Sequence, residues 1–329
     1  MLTAMLNTSE EVLCTSEELF SIYFFKKYRH KTTWTDSQIK DFTKELFLMM
    51  ENSPEIYFGE FNTLYENLLN HKESLNYELL IRIVYLHFID IKDKSKIKVI
   101  VDKQIKFLFH LAEMKKIFPD SKIILLTRDI RDNVLSKSNR NINGTKDIFF
   151  HAGTWNATYK NIDKLYQLFP NQIMIVHYEN LASQPKETLI KICEHLSINF
   201  SEKMLEFHIY FKNFLDIKNN NRTEKKLIQI KDFHESMFSE INNKKIGIWS
   251  NNMDKITSQK ISAIGYETGL KLGYDFSKPN GLSQIKNTEL KSLSKSVRMT
   301  VRLFNFYLKI PLTLKLLIKR FRNKLSIEI

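Results

Sequence analysis

The spacing of apolar residues changes near residue 96. Up to about residue 93, apolar side chains recur three and four positions apart, as at Leu79, Ile83 and Leu86. This spacing is typical of amphipathic helices, and strand-like runs are absent, so we expect this part to be helical. Three short apolar runs rich in β-branched residues follow and are predicted to be strands. They are KIKVIV (96–101), SKIILLT (121–127) and QIMIVHY (172–178).

The segments between these runs favour an α/β fold. Residues 104–118 and 147–169 are long enough for crossover helices, and continuous apolar runs indicate parallel strands that are covered on both faces. We therefore predict a doubly wound parallel sheet flanked by helices, with a helical insertion at about 30–95. Further helices are predicted at about 185–196, 201–214 and 254–272.

A linker is predicted near the C-terminal end. Pro279, Asn280 and Gly281 occur together within residues 277–288, and this combination favours turns and loops. The linker separates a main α/β domain, residues 1–276, from a helical tail, residues 289–329.

Composition narrows the class of protein. The chain has 329 residues, of which 43% are hydrophobic and 12% aromatic, so it should fold around a large core. The longest stretch without a charged residue is 14 residues, whereas a membrane span needs about 20. Cys14 and Cys193 have no neighbours at the spacing of a zinc site, so we expect reduced thiols in a cytoplasmic protein and no metal.

The net charge of +13 is concentrated at the C-terminal end. Residues 285–329 hold eleven Lys and Arg against Glu289 and Glu328, which leaves only +4 for the rest of the chain. The main domain is thus only mildly basic, and a nucleic-acid partner is not expected.

Polar residues stand where the predicted strands end, which is where ligands bind in open α/β sheets. The string FPDSKIILLTRDIRDNVLS (118–136) carries Arg128 at the end of a strand and Ser136 on the helix that follows. A guanidinium, a hydroxyl and a helix N-terminus together favour a phosphate-like dianion. The alternative is that Arg128 pairs with Asp129 or Asp132 as a surface ion pair.

These residues resemble a known family, the sulfotransferases that use 3′-phosphoadenosine 5′-phosphosulfate. RDIRD (128–132) with Ser136 is similar to their 3′-phosphate motif, Arg-Asp-Pro-Arg-Asp with a serine eight residues after the first arginine. The resemblance covers roughly residues 1–276 and implies a P-loop-like parallel sheet with helical layers. It continues at VDKQI (101–105), HYENLASQPKETLIKICEHLSINF (177–200), HESMF (234–238), KKIGIW (244–249) and LKLGY (270–274).

The resemblance assigns a nucleotide site. Arg128 and Ser136 would hold the 3′-phosphate, and Tyr178 would pack near it, unless that ring only closes the core at a strand end. Asn242 and Lys245 match the region that folds over the nucleotide, and the alternative for both is a solvated polar loop. The donor is 3′-phosphoadenosine 5′-phosphosulfate, with no metal.

The resemblance also assigns two catalytic residues. Glu17 falls where the family places a base that takes the proton of a hydroxyl acceptor, and Glu18 is the fallback. The alternative is that both are first-turn carboxylates of a helix capped by Ser16. Lys103 would stabilise charge on the leaving group, and its alternative is a strand-end lysine in solvent.

One family feature is absent from the sequence. The phosphosulfate loop, a strand followed by Gly, Ser or Thr and a basic residue, should precede the first helix, but the first glycine is Gly59. We therefore expect the first strand of the sheet to be missing as well. The predicted function is transfer of a sulfuryl group to a hydroxyl acceptor, a glycan or another sugar-containing metabolite. The alternative is a truncated, catalytically impaired relative that acts as a nucleotide-binding or scaffold protein.

The tail suggests a location. Apolar residues recur at spacings of three and four among Lys and Arg residues in 289–329, on two segments hinged at Pro311. Such basic amphipathic helices bind anionic membrane surfaces, which would place this cytoplasmic protein at the inner face of the membrane. The alternative is that the apolar face docks on the main domain.

Overall fold

The chain divides into two compact units. The first unit comprises residues 1–123 and 180–241, and the second comprises 124–179 and 242–329. The computed structural model describes residues 1–15, 19–51, 58–88, 92–142, 145–218 and 237–276, together with Phe306, Ile310 and Leu314.

Most of the regular structure is helical. The α-helices of the described residues are α1 (Leu2–Leu6), α2 (Phe20–Tyr28), α3 (Asp36–Glu51), α4 (Phe61–Asn70), α5 (Tyr77–Leu86), α6 (Leu111–Ile117), α7 (Ile130–Asn139), α8 (Ile148–Tyr159), α9 (Ile162–Leu168), α10 (Tyr178–Ser183), α11 (Pro185–Leu196), α12 (Phe207–Lys218), α13 (Trp249–Asn252) and α14 (Lys255–Lys271). Short 3₁₀ turns occur at Lys72–Ser74, Lys94–Lys96, Ile105–Phe109 and Glu202–Met204. The strands are β1 (Val12–Thr15), β2 (Val99–Asp102), β3 (Ile123–Thr127) and β4 (Ile173–His177).

The strands pair two by two. β1 and β2 are parallel, and Thr15 lies opposite Asp102 at their carboxyl ends. β3 pairs with β4. The backbone N–H of Asp129, just after β3, donates to the side chain of Glu179, just after β4, with the two atoms 2.9 Å apart. The carboxyl ends of β3 and β4 therefore meet at one edge, as parallel strands require.

The first unit has a core rich in aromatic side chains. Phe24, Tyr28, Trp34 and Phe42 are buried and contact one another, with ring centroids 4.9 to 6.3 Å apart. The indole N–H of Trp34 donates to the carbonyl of Leu75 at 2.7 Å, so the polar atom of this buried ring is satisfied. This cluster fixes α2 and α3 to one another.

The second unit is built on α7, α8 and α14, which pack against one another. Trp155 of α8 is almost fully buried, and its indole N–H donates to the carbonyl of Arg128 at 3.1 Å. Asp147 caps α8 by accepting the N–H groups of Phe149 and Phe150. The helical layer is thus attached to the end of β3, where the predicted anion site begins.

Several predictions about the elements are confirmed. The three predicted strands correspond to β2, β3 and β4, and the helix predicted at 185–196 is α11. Pro185 stands at the first position of α11, and Ser197 ends it with a left-handed φ of 57°, so local signals set both ends. The region 30–95 contains α3, α4 and α5, as predicted.

Two predictions were wrong. β1 lies in the part that was predicted to contain helices only, because a four-residue strand is too short to alter the helical spacing around it and is decided by its pairing with β2. The predicted single sheet is present as two pairs in the described residues. The mixed α/β class stands, but helices dominate it.

Other expectations concern the ends and the thiols. The linker 277–288, and the tail except Phe306, Ile310 and Leu314, lie outside the described residues, so the domain boundary stays a prediction. Cys14 and Cys193 are both free thiols, and burial raises the pKa of Cys193 to about 11. Within the described residues, no helix is both long and apolar enough to cross a membrane.

The packing of α14 can be tested at Gly269. A Cβ atom built there would stand 2.0 Å from a ring carbon of the buried Phe276. We expect Gly269→Ala to lower the free energy of unfolding by about 1–3 kcal/mol in urea titrations, because overpacking outweighs the gain in helix propensity. Leu270→Ala, at an exposed position of the same helix, is the control and should change it by less than about 0.5 kcal/mol. A Gly269→Ala protein as stable as the parent would contradict this packing.

Candidate functional site

The start of α7 is capped by its own motif. The carboxylate of Asp129 accepts the backbone N–H of Arg131 at 2.8 Å, and the guanidinium of Arg131 binds the same carboxylate at 2.5 and 3.0 Å. The helix N-terminus, which the sequence assigned to the bound anion, is therefore already occupied by a carboxylate. An anion at this helix start would therefore meet the carboxylate of Asp129 beside the free end of the helix.

Arg128 is a mostly buried cation at the end of β3, with its side chain 13% exposed. Its guanidinium lies over the ring of Tyr178, 4.6 Å from the centroid, and donates to the carbonyl oxygen of Lys245. The nearest carboxylate oxygen, on Asp132, is 4.0 Å from Nη2, and the buried Nε has no hydrogen-bond partner among the described residues. Arg128 therefore does form the ion pair with Asp132 that the alternative named, at 4.0 Å, but as a mostly buried residue and not at the surface.

Ser136 lies on the second turn of α7 and is joined to a second arginine. Arg140 donates from Nη2 to the hydroxyl of Ser136 at 3.3 Å and from Nε to its carbonyl at 3.2 Å. Partial desolvation, followed by the charge of Arg128, lowers the pKa of Arg140. Arg140 is thus bound to Ser136 and lies within electrostatic reach of Arg128.

A third cation completes this group. Burial, followed by the charge of Arg140, lowers the pKa of Lys137. In the part of the chain that the structure describes, neither Lys137 nor Arg140 makes an ion pair with a carboxylate. We call Arg128, Lys137 and Arg140 the cationic cluster. Arg128 is mostly buried, Lys137 is partly buried and Arg140 is exposed, and their three positive charges exceed the one negative charge of Asp132, which favours binding of an anion.

The loop predicted to fold over the nucleotide lies against this cluster through its backbone. The carbonyl of Lys245 accepts from Arg128, while the side chain of Lys245 is exposed. Asn242 is exposed, and its side-chain oxygen accepts the N–H of Lys244 at 3.2 Å. The structure therefore brings Arg128, Tyr178 and the backbone of Lys245 together, and places Asn242 in a turn of the same loop.

A hydrogen-bonded network fixes the strand ends below the cluster. The hydroxyl of Tyr274 lies 3.1 Å from the carboxylate of Glu179 and 3.1 Å from the hydroxyl of Thr127. Burial, followed by the charge of Glu179, raises the pKa of Tyr274, which keeps the phenol protonated. Because Glu179 also accepts the N–H of Asp129, this network sets the position from which Arg128 projects.

The predicted catalytic residues belong to the first unit. Lys103 directly follows β2 and is exposed. Asp102, before it, accepts a hydrogen bond of 2.5 Å from the buried hydroxyl of Tyr85. Glu17 and Glu18 lie outside the described residues, two and three positions after Thr15, the last residue of β1. No group of three His, Cys, Asp or Glu in the described residues could hold a metal ion.

Sequence reasoning missed Arg140, Lys137 and the role of Asp132. A signal for Arg140 was present, since residues four apart share one face of a helix and Arg140 follows Ser136 by four. Asp132 gave no such signal. It is 1% exposed and accepts backbone N–H groups from Gly247 and Trp249, which are far away in the sequence.

Two curated relatives match about half of the chain. Both bear the name "Putative protein-tyrosine sulfotransferase". The protein from Caenorhabditis elegans is 27% identical over 176 residues, which are 52% of this chain and 64% of the relative. The protein from Caenorhabditis briggsae is 26% identical over 169 residues, 48% of this chain and 57% of the relative. The chain thus spans less than two thirds of the length of either one.

A solved structure supports the fold. The sulfotransferase domain from the olefin synthase of Synechococcus PCC 7002 superposes with a TM-score of 0.53 at 13% identity, covering 84% of this chain and 90% of that domain. The likeness at this identity concerns the fold alone. The sequence model described as the Sulfotransferase family matches residues 1–202, which is more than half of the chain and includes β1 to β4 and α7. On this match, the chain belongs to the sulfotransferase family.

Proposed function

We propose that the chain is a sulfotransferase that takes its sulfuryl group from 3′-phosphoadenosine 5′-phosphosulfate and binds the 3′-phosphate at the cationic cluster. The observation that carries this proposal is a group of three cations, mostly buried Arg128, partly buried Lys137 and exposed Arg140, with the carboxylate of Asp132 4.0 Å from Arg128. The buried Nε of Arg128, which has no partner among the described residues, fits a phosphate oxygen. A dianion would relieve both the repulsion between the cations and the cost of their desolvation.

Each member of the site has a distinct task in this proposal. Arg128 and Arg140 supply planar guanidinium groups that can bind phosphate in a bidentate manner. The oxygen of Ser136 accepts from Arg140, so its own proton is available to a phosphate oxygen. Tyr178 holds Arg128 by its ring face, and Lys245 adds charge from the loop.

The transfer step is assigned to the first unit. The donor supplies an activated sulfuryl group: its sulfur–oxygen bond to the nucleotide phosphate breaks as a bond from sulfur to the acceptor oxygen forms. Glu17 takes the proton of the acceptor hydroxyl, and Lys103 stabilises the negative charge left on the nucleotide phosphate. Thr15 and Asp102 lie opposite each other in the β1–β2 pair. Lys103 follows Asp102 in the sequence, and Glu17 comes two residues after Thr15. The assignment of Lys103 and Glu17 to the transfer step rests on this pairing of β1 with β2.

The acceptor is proposed as a hydroxyl group, and two classes compete. A glycan or another sugar-containing metabolite is the class expected from the sequence. The names of the two relatives suggest a tyrosine side chain of a protein instead. Incubating the chain with labelled donor and either a tyrosine-containing acidic peptide or an oligosaccharide separates the two, since only the correct class acquires label.

A second candidate function is nucleotide binding without turnover. The cationic cluster supports this function by itself, because it would bind the 3′-phosphate whether or not transfer follows. Binding of adenosine 3′,5′-bisphosphate with no labelled product from any acceptor would support this second function.

The phosphate site is tested by calorimetry with adenosine 3′,5′-bisphosphate. We expect Arg128→Ala and Arg140→Ala each to weaken binding by about 1.5–3 kcal/mol, because each removes a charge-assisted contact to the 3′-phosphate. Lys160→Ala, an exposed cation of the same unit, is the matched control and should change nothing.

Adenosine 5′-monophosphate, which lacks the 3′-phosphate, sharpens this experiment. It should bind the parent protein more weakly than adenosine 3′,5′-bisphosphate does. Its affinity should hardly change in Arg128→Ala, because it has no 3′-phosphate for Arg128 to bind. Equal losses for both nucleotides, or unchanged affinity for the bisphosphate in a folded Arg128→Ala protein, would remove the 3′-phosphate from this site.

The proposed base is tested by turnover. Glu17→Gln should lower kcat by about 10²–10⁴-fold without changing the affinity for adenosine 3′,5′-bisphosphate, because the carboxylate acts on the acceptor proton. Glu10→Gln, at an exposed position nearby in the sequence, is the control. If Glu18→Gln is the variant that loses turnover, the base is the neighbouring residue, and full activity in both variants would rule out a base in this segment.

We also propose that the tail, residues 289–329, binds anionic membrane surfaces, which would hold this cytoplasmic protein at the inner face of the membrane. Two observations support this: eleven cations lie in residues 285–329, and the side chains of Phe306 and Leu314 are 64% and 48% exposed. Co-sedimentation with anionic vesicles should therefore be strong at low salt and weak at high salt. Binding that survives deletion of residues 285–329 would contradict this role.

A further inference from the structure

We propose that Asp132 is a positioning residue for the nucleotide site, because it holds the loop 245–249 against the cationic cluster. This inference rests on the proposed function, in which the cluster binds the 3′-phosphate. Asp132 itself lies on the first turn of α7 and is 1% exposed, so it is not placed to act as a ligand from solvent.

The carboxylate of Asp132 is engaged by the loop backbone. Oδ2 accepts the N–H of Gly247 at 2.7 Å, and Oδ1 accepts the N–H of Trp249 at 3.0 Å. Both distances are those of good charge-assisted hydrogen bonds. Oδ2 of Asp132 also stands 4.0 Å from Nη2 of Arg128, so the carboxylate binds the loop backbone and faces Arg128 at the same time.

The conformation of the loop depends on this carboxylate. Gly247 has a φ of +67°, in the left-handed region that favours glycine, and this turn allows two nearby N–H groups to point at one carboxylate. Arg131, the neighbour of Asp132, stacks on Trp249 with 3.8 Å between Cζ and the ring centroid. The beginning of α7 therefore fixes both the backbone and the aromatic ring at the end of the loop.

A phosphate bound at the cationic cluster would change the contact that Lys245, at the start of the loop, makes with Arg128. Arg128 now donates to the carbonyl of Lys245, and a phosphate oxygen is a stronger acceptor that would compete for the same guanidinium. When that contact is given up, the bonds from Gly247 and Trp249 to Asp132 keep the loop, and with it Lys245, beside the ligand. Asp132 thus acts on the nucleotide through the loop and not by touching it.

The variant Asp132→Asn tests this inference. An amide can accept one of the two N–H groups, but its NH₂ group faces the other donor, so the loop should loosen. We expect affinity for adenosine 3′,5′-bisphosphate to fall about tenfold or more in calorimetry, and amide hydrogen exchange of the peptide that contains 245–249 to accelerate. Asp254→Asn, which changes the N-cap of α14 to an equally good cap, is the control for both measurements.

A double-mutant cycle distinguishes positioning from general stability. Lys245→Ala should weaken binding in the parent but much less in Asp132→Asn, since the loosened loop no longer presents that side chain. Gly247→Ala provides a second route, because it disturbs the loop at a positive φ where nothing lies within 4 Å of an added Cβ. It should also weaken binding and speed exchange in the loop.

Two kinds of result would overturn the inference. If the parent protein binds the nucleotide, additive losses of affinity in Asp132→Asn and Lys245→Ala would overturn this inference alone. Faster hydrogen exchange of the loop in Asp132→Asn with unchanged affinity would also overturn it. Failure of the parent protein to bind adenosine 3′,5′-bisphosphate at all would overturn the proposed function and this inference together.

Discussion

Positive charge concentrated at the end of β3 and along α7 is the constraint around which this part of the second unit is arranged. Arg128 is mostly buried, Lys137 is partly buried and Arg140 is exposed, and the pKa values of Lys137 and Arg140 are lowered by desolvation and then by a neighbouring positive charge. The positive charge of Arg128 is stabilised in part by the ring face of Tyr178 and by the carbonyl of Lys245. Both are weaker partners than a carboxylate. The excess positive charge here is the basis of the proposed phosphate site.

The short motif at the start of α7 serves several purposes at once. Arg128 faces the anion site, Asp129 and Arg131 satisfy each other while capping the helix, and Asp132 binds the loop backbone. Asp129 is thus bound by Arg131, while Asp132 stands 4.0 Å from Arg128. The charged side chains of this motif point in different directions from the first turn of α7. The motif as a whole has no net charge, although the region around Arg128 is positive.

The first unit contributes a different chemistry. Its two paired strands end at Thr15 and Asp102, and the carboxylate of Asp102 is held by the buried phenol of Tyr85. Burial, followed by the charge of Asp102, raises the pKa of Tyr85, so this phenol stays a donor. Lys103 therefore follows a strand end that is held both by its pairing with β1 and by the phenol of Tyr85.

Features that depend on neighbours along the chain could be predicted from the amino-acid sequence. Runs of β-branched residues located β2, β3 and β4, and the position of Arg128 after a strand indicated an anion site. Only the tertiary structure revealed β1, which is defined by its pairing with β2, and the bonds from Asp132 to Gly247 and Trp249. Helix caps and hydrophobic periods are local and leave a pattern in sequence, whereas a strand pairing or a buried carboxylate is decided by partners about a hundred residues away, which no local pattern records.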